Sequence, residues 1–196
     1  MTGIFDSGRG GLTALYELQR LCPDENIIFF ADKENAPYGP RSKRELEKIV
    51  RANVKRLLDL GADRVLMACC TASTVFERLN EEEKRNLIPI ISPAARLAAR
   101  HRRILVIATE ATVASHAFSR EILSINPTCE VFELAMQALV TEIESGSRSA
   151  KISKGCDTLL KHLENTAQDG KFDSIVLGCT HFSHLEAEIK HRLSSI

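Results

Sequence analysis

Two short stretches carry the residues best suited to chemistry. Arg64-Val65-Leu66-Met67-Ala68-Cys69-Cys70-Thr71 and Ser174-Ile175-Val176-Leu177-Gly178-Cys179-Thr180-His181 are apolar runs that end in a cysteine and polar residues. An aspartate, Asp63 or Asp173, stands six positions before the first cysteine of each run. Two buried strands that each deliver a cysteine to a loop describe two related halves facing one cleft. A thiolate on one side of a carbon and a thiol on the other can take a proton from one face and return it to the opposite face. The two exchange roles in the reverse reaction. An ordinary thiol has a pKa of about 8.5, so it is mostly protonated at neutral pH. A helix N-terminus directly after each cysteine would raise the thiolate fraction. Asp6 is placed to orient or deprotonate one thiol, and His181, two residues beyond Cys179, to serve the other. Ser7, Thr71 and Thr180 offer hydroxyl groups to a substrate carboxylate.

Taken singly, these residues also have plainer uses. Asp6 in a glycine-rich turn suits a turn former, and Thr71 or Thr180 after a strand suits a helix N-cap. Cys22, Cys129 and Cys156 read as inert buried thiols. His101, His116, His162, His184 and His191 read as ordinary surface or core histidines. Cys179, His181 and His184 lack a fourth ligand at zinc spacing, so no metal is expected.

The surrounding pattern supplies elements able to position these groups. Gly3–Phe5 predicts a strand that runs into Asp6-Ser7-Gly8-Arg9-Gly10-Gly11-Leu12-Thr13 and a helix over Leu12–Leu21. That loop is glycine-rich, but Thr13 stands at the third glycine of a dinucleotide loop and no Walker lysine follows. Helix N–H groups there suit a carboxylate as well as a phosphate. Asn26–Ala31 predicts a second strand ending at Asp32, and Ala36-Pro37-Tyr38-Gly39-Pro40 a turn cluster. Ser42 and Glu45 form a capping box for a helix with Leu46, Ile49, Val50, Val54, Leu57 and Leu58 on one face, ended by Gly61. A strand over Val65–Cys69, a helical region over Ala72–Asn86 and a strand over Leu87–Ile91 follow, and Ser92-Pro93 opens the connection to the second half. That half reads as a strand at Ile104–Ala108, a helix at Thr112–Ser124 and a strand near Cys129–Phe132. Helices at Gln137–Glu144 and Ser153–Gln168, a strand at Ile175–Leu177 and a final helix from Ser183 complete it. Alternating strands and helices predict an α/β fold of mainly parallel sheets. Ligands bind at the carboxyl ends of such strands, where Asp6, Asp32, Cys69, Thr109 and Cys179 all fall.

Composition narrows the function class. The 196 residues are 44% apolar and 27% charged, within the range of ordinary globular proteins. Lys and Arg (26) balance Asp and Glu (26), and no basic stripe marks a nucleic-acid surface. No apolar stretch reaches the roughly 18 residues of a membrane span, and Met1–Asp6 has no leader-like n- and h-regions. The six cysteines lack C-x-x-C spacing and read as free thiols of a reducing compartment, which makes the cytoplasm the expected location.

Together these motifs resemble the glutamate racemases of the cofactor-independent aspartate/glutamate racemase superfamily, nearly end to end. The matching blocks are Gly3–Thr13, Asp32 with Pro37-Tyr38-Gly39, Ala68-Cys69-Cys70-Thr71-Ala72-Ser73, and Leu177-Gly178-Cys179-Thr180-His181-Phe182. Ala108-Thr109 with Thr112-Val113, and Glu144-Ser145-Gly146, fit weaker family signals. The resemblance implies two pseudo-symmetric α/β lobes, here 1–94 and 95–196, with the active site in the cleft between them. It implies interconversion of L- and D-glutamate without pyridoxal phosphate or metal, D-glutamate feeding peptidoglycan synthesis, and a homodimer. By motif match Cys69 and Cys179 are the acid/base thiols, assisted by Asp6 and His181. Ser7, Pro37, Tyr38, Gly39, Cys70, Thr71, Thr109, Thr112 and Thr180 line the substrate site. The histidine after the second Cys-Thr favours glutamate racemases over their aspartate and hydantoin relatives.

The chain departs from the family pattern at Cys70, where relatives usually carry asparagine, and at Gln137 and Thr141, where prolines are common. Only 15 residues follow His181, so the usual C-terminal return to the first lobe reads as shortened or absent. Two other readings stay open on the same residues. One is a homologue that binds acidic amino acids or a protein partner with little or no turnover. The other is a racemase for aspartate or another small acid.

Overall fold

The computed structural model describes residues 1–144, 157, 159, 161 and 171–193. The expected helix at 153–168 (apart from those three positions), Cys156, His162 and the Ser145-Gly146 signal lie outside the described residues.

Two parallel sheets organise the chain. The first has the order β2-β1-β3-β4, built from β1 (Thr2–Asp6), β2 (Ile27–Ala31), β3 (Arg64–Met67) and β4 (Leu87–Pro89). The second has the order β6-β5-β7, from β5 (Arg103–Ala108), β6 (Glu130–Ala135) and β7 (Ser174–Gly178). All neighbours run parallel. The central strands β1 and β5 are almost wholly buried, which is why they read as continuous apolar runs rather than alternating ones. The expected α/β class is therefore present, as two parallel sheets flanked by helices.

The halves repeat each other in register. Phe5 pairs with Met67 and Ile107 with Leu177, each two residues before its cysteine. The N–H of Asp63 donates to the Met1 carbonyl at 2.9 Å, and that of Asp173 to the Arg103 carbonyl at 3.0 Å. The Asp173 carboxylate also accepts from the Arg102 and Arg103 N–H groups. The repeated aspartates thus fasten the start of each central strand to the strand that carries the cysteine.

Helices form where caps and apolar spacing agree. Helix α2 (Lys43–Asp59) starts at the Ser42–Glu45 capping box and buries Leu46, Val50, Val54 and Leu57. Helix α1 (Leu12–Leu21) has no fully buried residue. The region 72–86 is not one helix: α3 (Cys70–Ser73), a 3-10 turn (Phe76–Arg78) and α4 (Glu81–Lys84) replace it, and Asn80 caps α4 with its own capping box. Ser92-Pro93 lies inside α5 (Ile91–Ala98) rather than in a connection, because proline is tolerated in a first helical turn; α5 also runs through residues 94 and 95. The expected helix over 112–124 is two, α6 (Glu110–Ser115) and α7 (Ala117–Ile125), broken at His116 with φ 53°. His116 is not idle there, since its Nδ1 lies 2.7 Å from the Glu133 carboxylate. After α8 (Gln137–Glu144) and β7, a 3-10 segment (Thr180–Leu185) leads into a last helix, Glu186–Leu193. Cys129 is buried as expected, but Cys22 is exposed at the C-cap of α1. No described helix is long and apolar enough to cross a membrane.

One polar residue breaks the apolar face of α2. Asn53 is buried and donates to Asp32 Oδ2 at 2.9 Å and to the Tyr38 hydroxyl oxygen at 2.8 Å. The Tyr38 hydroxyl in turn donates to Asp32 Oδ2 at 2.6 Å. Burial alone would raise the Asp32 carboxyl, but bonds from Tyr38, Asn53 and Asn35 hold it below its usual value. Asn53→Ala removes two donors from a buried group, and the expected loss is about 1–3 kcal/mol by urea denaturation at neutral pH. The Asp32 contribution is present above the unfolded carboxyl pKa and lost as pH falls through the lower folded value. The gap between variant and parent therefore narrows in acid.

Candidate active site

The loops after β1, β3, β5, β6 and β7 converge where the halves meet. The shared register makes Cys69 equivalent to Cys179, Ser7 to Thr109, Cys70 to Thr180 and Thr71 to His181. The threonines of the two cysteine motifs are therefore not counterparts. Asp6 has Ala108 as its counterpart, so each half brings a different helper to its thiol.

Asp6 ends β1 and is fully buried. Its Oδ1 accepts from the Gly8 N–H at 2.9 Å, which is the turn-forming role, and its Oδ2 accepts from the Thr180 hydroxyl of the other half at 3.1 Å. Burial raises its carboxyl above the usual range, against lowering by the Gly8 N–H, by His181, by Thr180 and by the Gly11 N–H. The glycines of the loop serve this approach. A Cβ on Gly10 would lie 2.3 Å from Thr180 Oγ1, and one on Gly11 would lie 2.5 Å from Asp6 Cβ. The loop is glycine-rich because its backbone packs onto Asp6 and Thr180, not to cradle a phosphate.

Cys69 is the residue before α3, and its thiol donates to Ser7 Oγ at 3.7 Å. A helix of four residues offers little dipole. Burial, then the charge of Asp6, pushes the Cys69 thiol up to about 12. The expected gain in thiolate is thus reversed at Cys69, because desolvation outweighs the backbone donors. Cys70 is also buried and raised well above an ordinary thiol, by burial and then by Cys179, Cys69 and Asp6. It packs among Ala95, Ile104, Val106, Ala108 and Phe118 of the second half. Neither Thr71 nor Thr180 is an N-cap; those positions belong to Cys69 and Cys179. The Thr71 hydroxyl instead lies 2.9 Å from that of Thr109 and 3.3 Å from that of Thr112, which are 2.8 Å apart. Thr109 also caps α6, its hydroxyl oxygen accepting from the Thr112 N–H at 3.2 Å.

In the second half, Cys179 Sγ lies 3.5 Å from His181 Nδ1, and both residues are buried. Pro37, Tyr38 and Gly39 reach the seam from the first half after a cis Ala36–Pro37 bond, with Tyr38 held by Asp32 and Asn53. Burial and the neighbouring Asp32 carboxylate raise the Tyr38 phenol, so it stays a neutral donor.

Most of the expected residues meet around one cavity of about 10 Å³: Ser7, Pro37, Tyr38, Gly39, Cys69, Cys70, Thr71, Thr109, Cys179, Thr180 and His181. Asp6 and Thr112 stand behind that wall, bonded to residues that form it. Gln137 and Val140 also line the cavity, and the sequence marks Gln137 only as an amide where a proline is common. A wider cleft of about 600 Å³ shares Ser7 and His181 with it and adds Arg9, Lys33 and His184. His184 is therefore a cleft residue rather than a bland one. Among the described residues no group of three or more His, Cys, Asp or Glu is placed to hold a metal ion.

Two substitutions test this packing. Gly10→Ala forces its Cβ onto Thr180, and an overpacking loss of about 1–3 kcal/mol is expected in urea denaturation. Asp6→Asn removes a carboxyl whose folded pKa is raised, so it removes a penalty that grows as pH rises from the unfolded to the folded value. The variant is expected to melt above the parent at neutral pH, with the advantage vanishing below the ordinary aspartate range. A lower melting temperature at neutral pH would show that the Gly8 and Thr180 bonds outweigh burial.

Comparison with known proteins places the chain in a family. The sequence profile of the Asp/Glu/Hydantoin racemase family matches residues 15–195. A glutamate racemase of Gloeobacter violaceus is 38% identical over 185 residues, spanning 93% of this chain and 69% of that protein. One from a Picosynechococcus species is 39% identical over 195 residues, spanning 98% and 69%. Among solved structures, glutamate racemase from Francisella tularensis in complex with D-glutamate superposes with a TM-score of 0.88 at 30% identity, covering 98% of this chain and 73% of that one. The family profile spans most of the chain and these relatives are 30% or more identical over nearly all of it: the chain belongs to the Asp/Glu/Hydantoin racemase family.

Proposed function

We propose that this chain is a glutamate racemase that moves the α-proton of glutamate between two thiols, Cys69 and Cys179. The observation that carries the reading is that equivalent strands of two repeated halves deliver these thiols to one buried seam. In one direction a thiolate at one cysteine takes the proton from the α-carbon. The electron pair left behind spreads into the adjacent carboxyl group, and the thiol of the other cysteine returns a proton to the opposite face. Each turnover leaves thiol and thiolate exchanged, so the reverse reaction uses the same groups. His181 is placed to accept the Cys179 proton. Asp6 acts near Cys69 through the field of its carboxyl. Burial keeps Cys69 a neutral acid in the resting site, and a thiolate formed there would be a strong base for the same reason.

Substrate binding in this reading uses Ser7, Thr71, Thr109, Thr180 and the Pro37–Gly39 turn, with Thr112 supporting Thr109. A cavity of about 10 Å³ holds little more than one water, so glutamate enters from the wider cleft as the halves separate. D-glutamate would supply peptidoglycan synthesis. A cytoplasmic location suits the free thiols. A homodimer of 21.8 kDa chains belongs to the same reading; Tyr16 and Leu21 leave apolar surface exposed on α1, and light scattering would measure the mass.

Circular dichroism under reducing conditions tests the activity. The signals of L- and D-glutamate are expected to decay to zero, with solvent deuterium entering at the α-carbon and both aspartates turning over more slowly. Cys69→Ser and Cys179→Ser are each expected to lower kcat by roughly 10²–10⁴-fold. Flat traces from a folded protein that still binds glutamate would leave a binding protein. Racemisation that survives both substitutions would remove the two-thiol mechanism.

A further inference from the structure

From the position of one amide in the seam, we infer that Gln137 positions the substrate, its side-chain carbonyl accepting a hydrogen bond from the α-ammonium group of the bound amino acid. This rests on the amino-acid racemase reading above. Gln137 opens α8 two residues beyond the end of β6, on the same strand-end rim as Cys69 and Cys179. It lines the cavity that both thiols line. Its Oε1 is buried and has no hydrogen-bond partner among the described residues. A buried carbonyl oxygen without a donor is unfavourable in the free protein.

The amide is also fixed in place. It lies against the backbone of Gly39, where a Cβ would stand 2.0 Å from Oε1 and 2.9 Å from Nε2. Packing does not call for an amide here, since Leu139 and Val140 supply the apolar contacts of this helix turn.

The neighbouring groups select the ligand atom. Ser7, Thr71, Thr109 and Thr180 present hydroxyls, which can donate to the carboxylates of an acidic substrate. The substrate ammonium has three N–H donors and needs acceptors. Asp6 does not line the cavity, and its Oδ1 already accepts from the Gly8 N–H. The Gln137 carbonyl oxygen is an acceptor only, and a bond to it from an ammonium is charge-assisted.

Calorimetric titration of the parent protein and of Gln137→Met, which keeps length but lacks the acceptor, separates this role from general packing. The ligands are glutamate at racemic equilibrium and glutarate, which has the two carboxylates and no amino group. The substitution is expected to weaken glutamate by about tenfold, raise KM in parallel, and leave glutarate unchanged. Removing the orphaned oxygen is expected to raise the melting temperature of the free protein by about 2–4 °C. Equal loss for both ligands, no loss for glutamate, or a lower melting temperature would each overturn the assignment. If the parent racemises glutamate while the variant binds both ligands as the parent does, only this assignment falls. If the parent neither binds nor racemises glutamate, the racemase reading falls with it.

Discussion

The hydroxyl of Thr180 and the carboxyl of Asp6, 174 residues apart in sequence, hold the two halves together at 3.1 Å. A second tie crosses the same seam where Thr71 meets Thr109 and Thr112. Buried polar groups need partners, and here the partners come from opposite halves. That requirement dictates local sequence far from either cysteine. Gly10 and Gly11 must lack side chains so that the loop can lie against Thr180 and Asp6. Asn53 must interrupt an apolar helix face so that Tyr38 and Asp32 have a donor. Cys70 makes the apolar counterpart of these ties, a first-half residue packed into the core of the second.

The closeness that excludes water also sets the acid–base character of the seam. Burial, more than any neighbouring charge, moves Asp6, Cys69 and Cys70 toward their neutral forms. The repeat is imperfect where it matters most. The first half places Asp6 where the second has Ala108, and the second places His181 where the first has Thr71. One thiol is therefore paired with a carboxyl and a serine, the other with an imidazole. Two groups in different settings are what a reaction needs when one must release a proton as the other accepts it.

Much of this was legible in the sequence because it rests on periodicity and on strand ends. Parallel strands covered on both faces appear as unbroken apolar runs, and Ser42 with Glu45 announces α2. The breaks in the helices were hidden. His116 takes a left-handed conformation without being glycine, and Asn80 restarts a helix with a cap that looks like surface polarity. In the site, the cysteines, Asp6 and His181 stand in recognisable motifs, so their convergence could be expected. Asn53 and Gln137 could not be found that way. Each is an amide on a helix, and its role depends on what a distant loop places against it. The Cys69 thiol departs from expectation for a related reason: the sequence displays the helix that follows Cys69 but not the burial that overrides it.

Tight closure and room for a substrate conflict in this seam, and hydrogen-bond exchange resolves the conflict. The cavity at the thiols has about 10 Å³ of space, while the adjoining cleft has about 600 Å³. Separating the halves breaks the Thr180–Asp6 and Thr71–Thr109 bonds, which would be costly if the freed groups stayed unpaired. A dicarboxylic amino acid supplies acceptors for those freed hydroxyls and an ammonium for the Gln137 oxygen, which has no partner among the described residues. An entering ligand that lacks any of these groups leaves a buried polar atom unmatched. Selectivity then follows from which groups the open seam leaves unsatisfied rather than from the shape of a preformed pocket. Arg9 and Lys33 at the mouth add positive charge on the path that an anionic substrate takes.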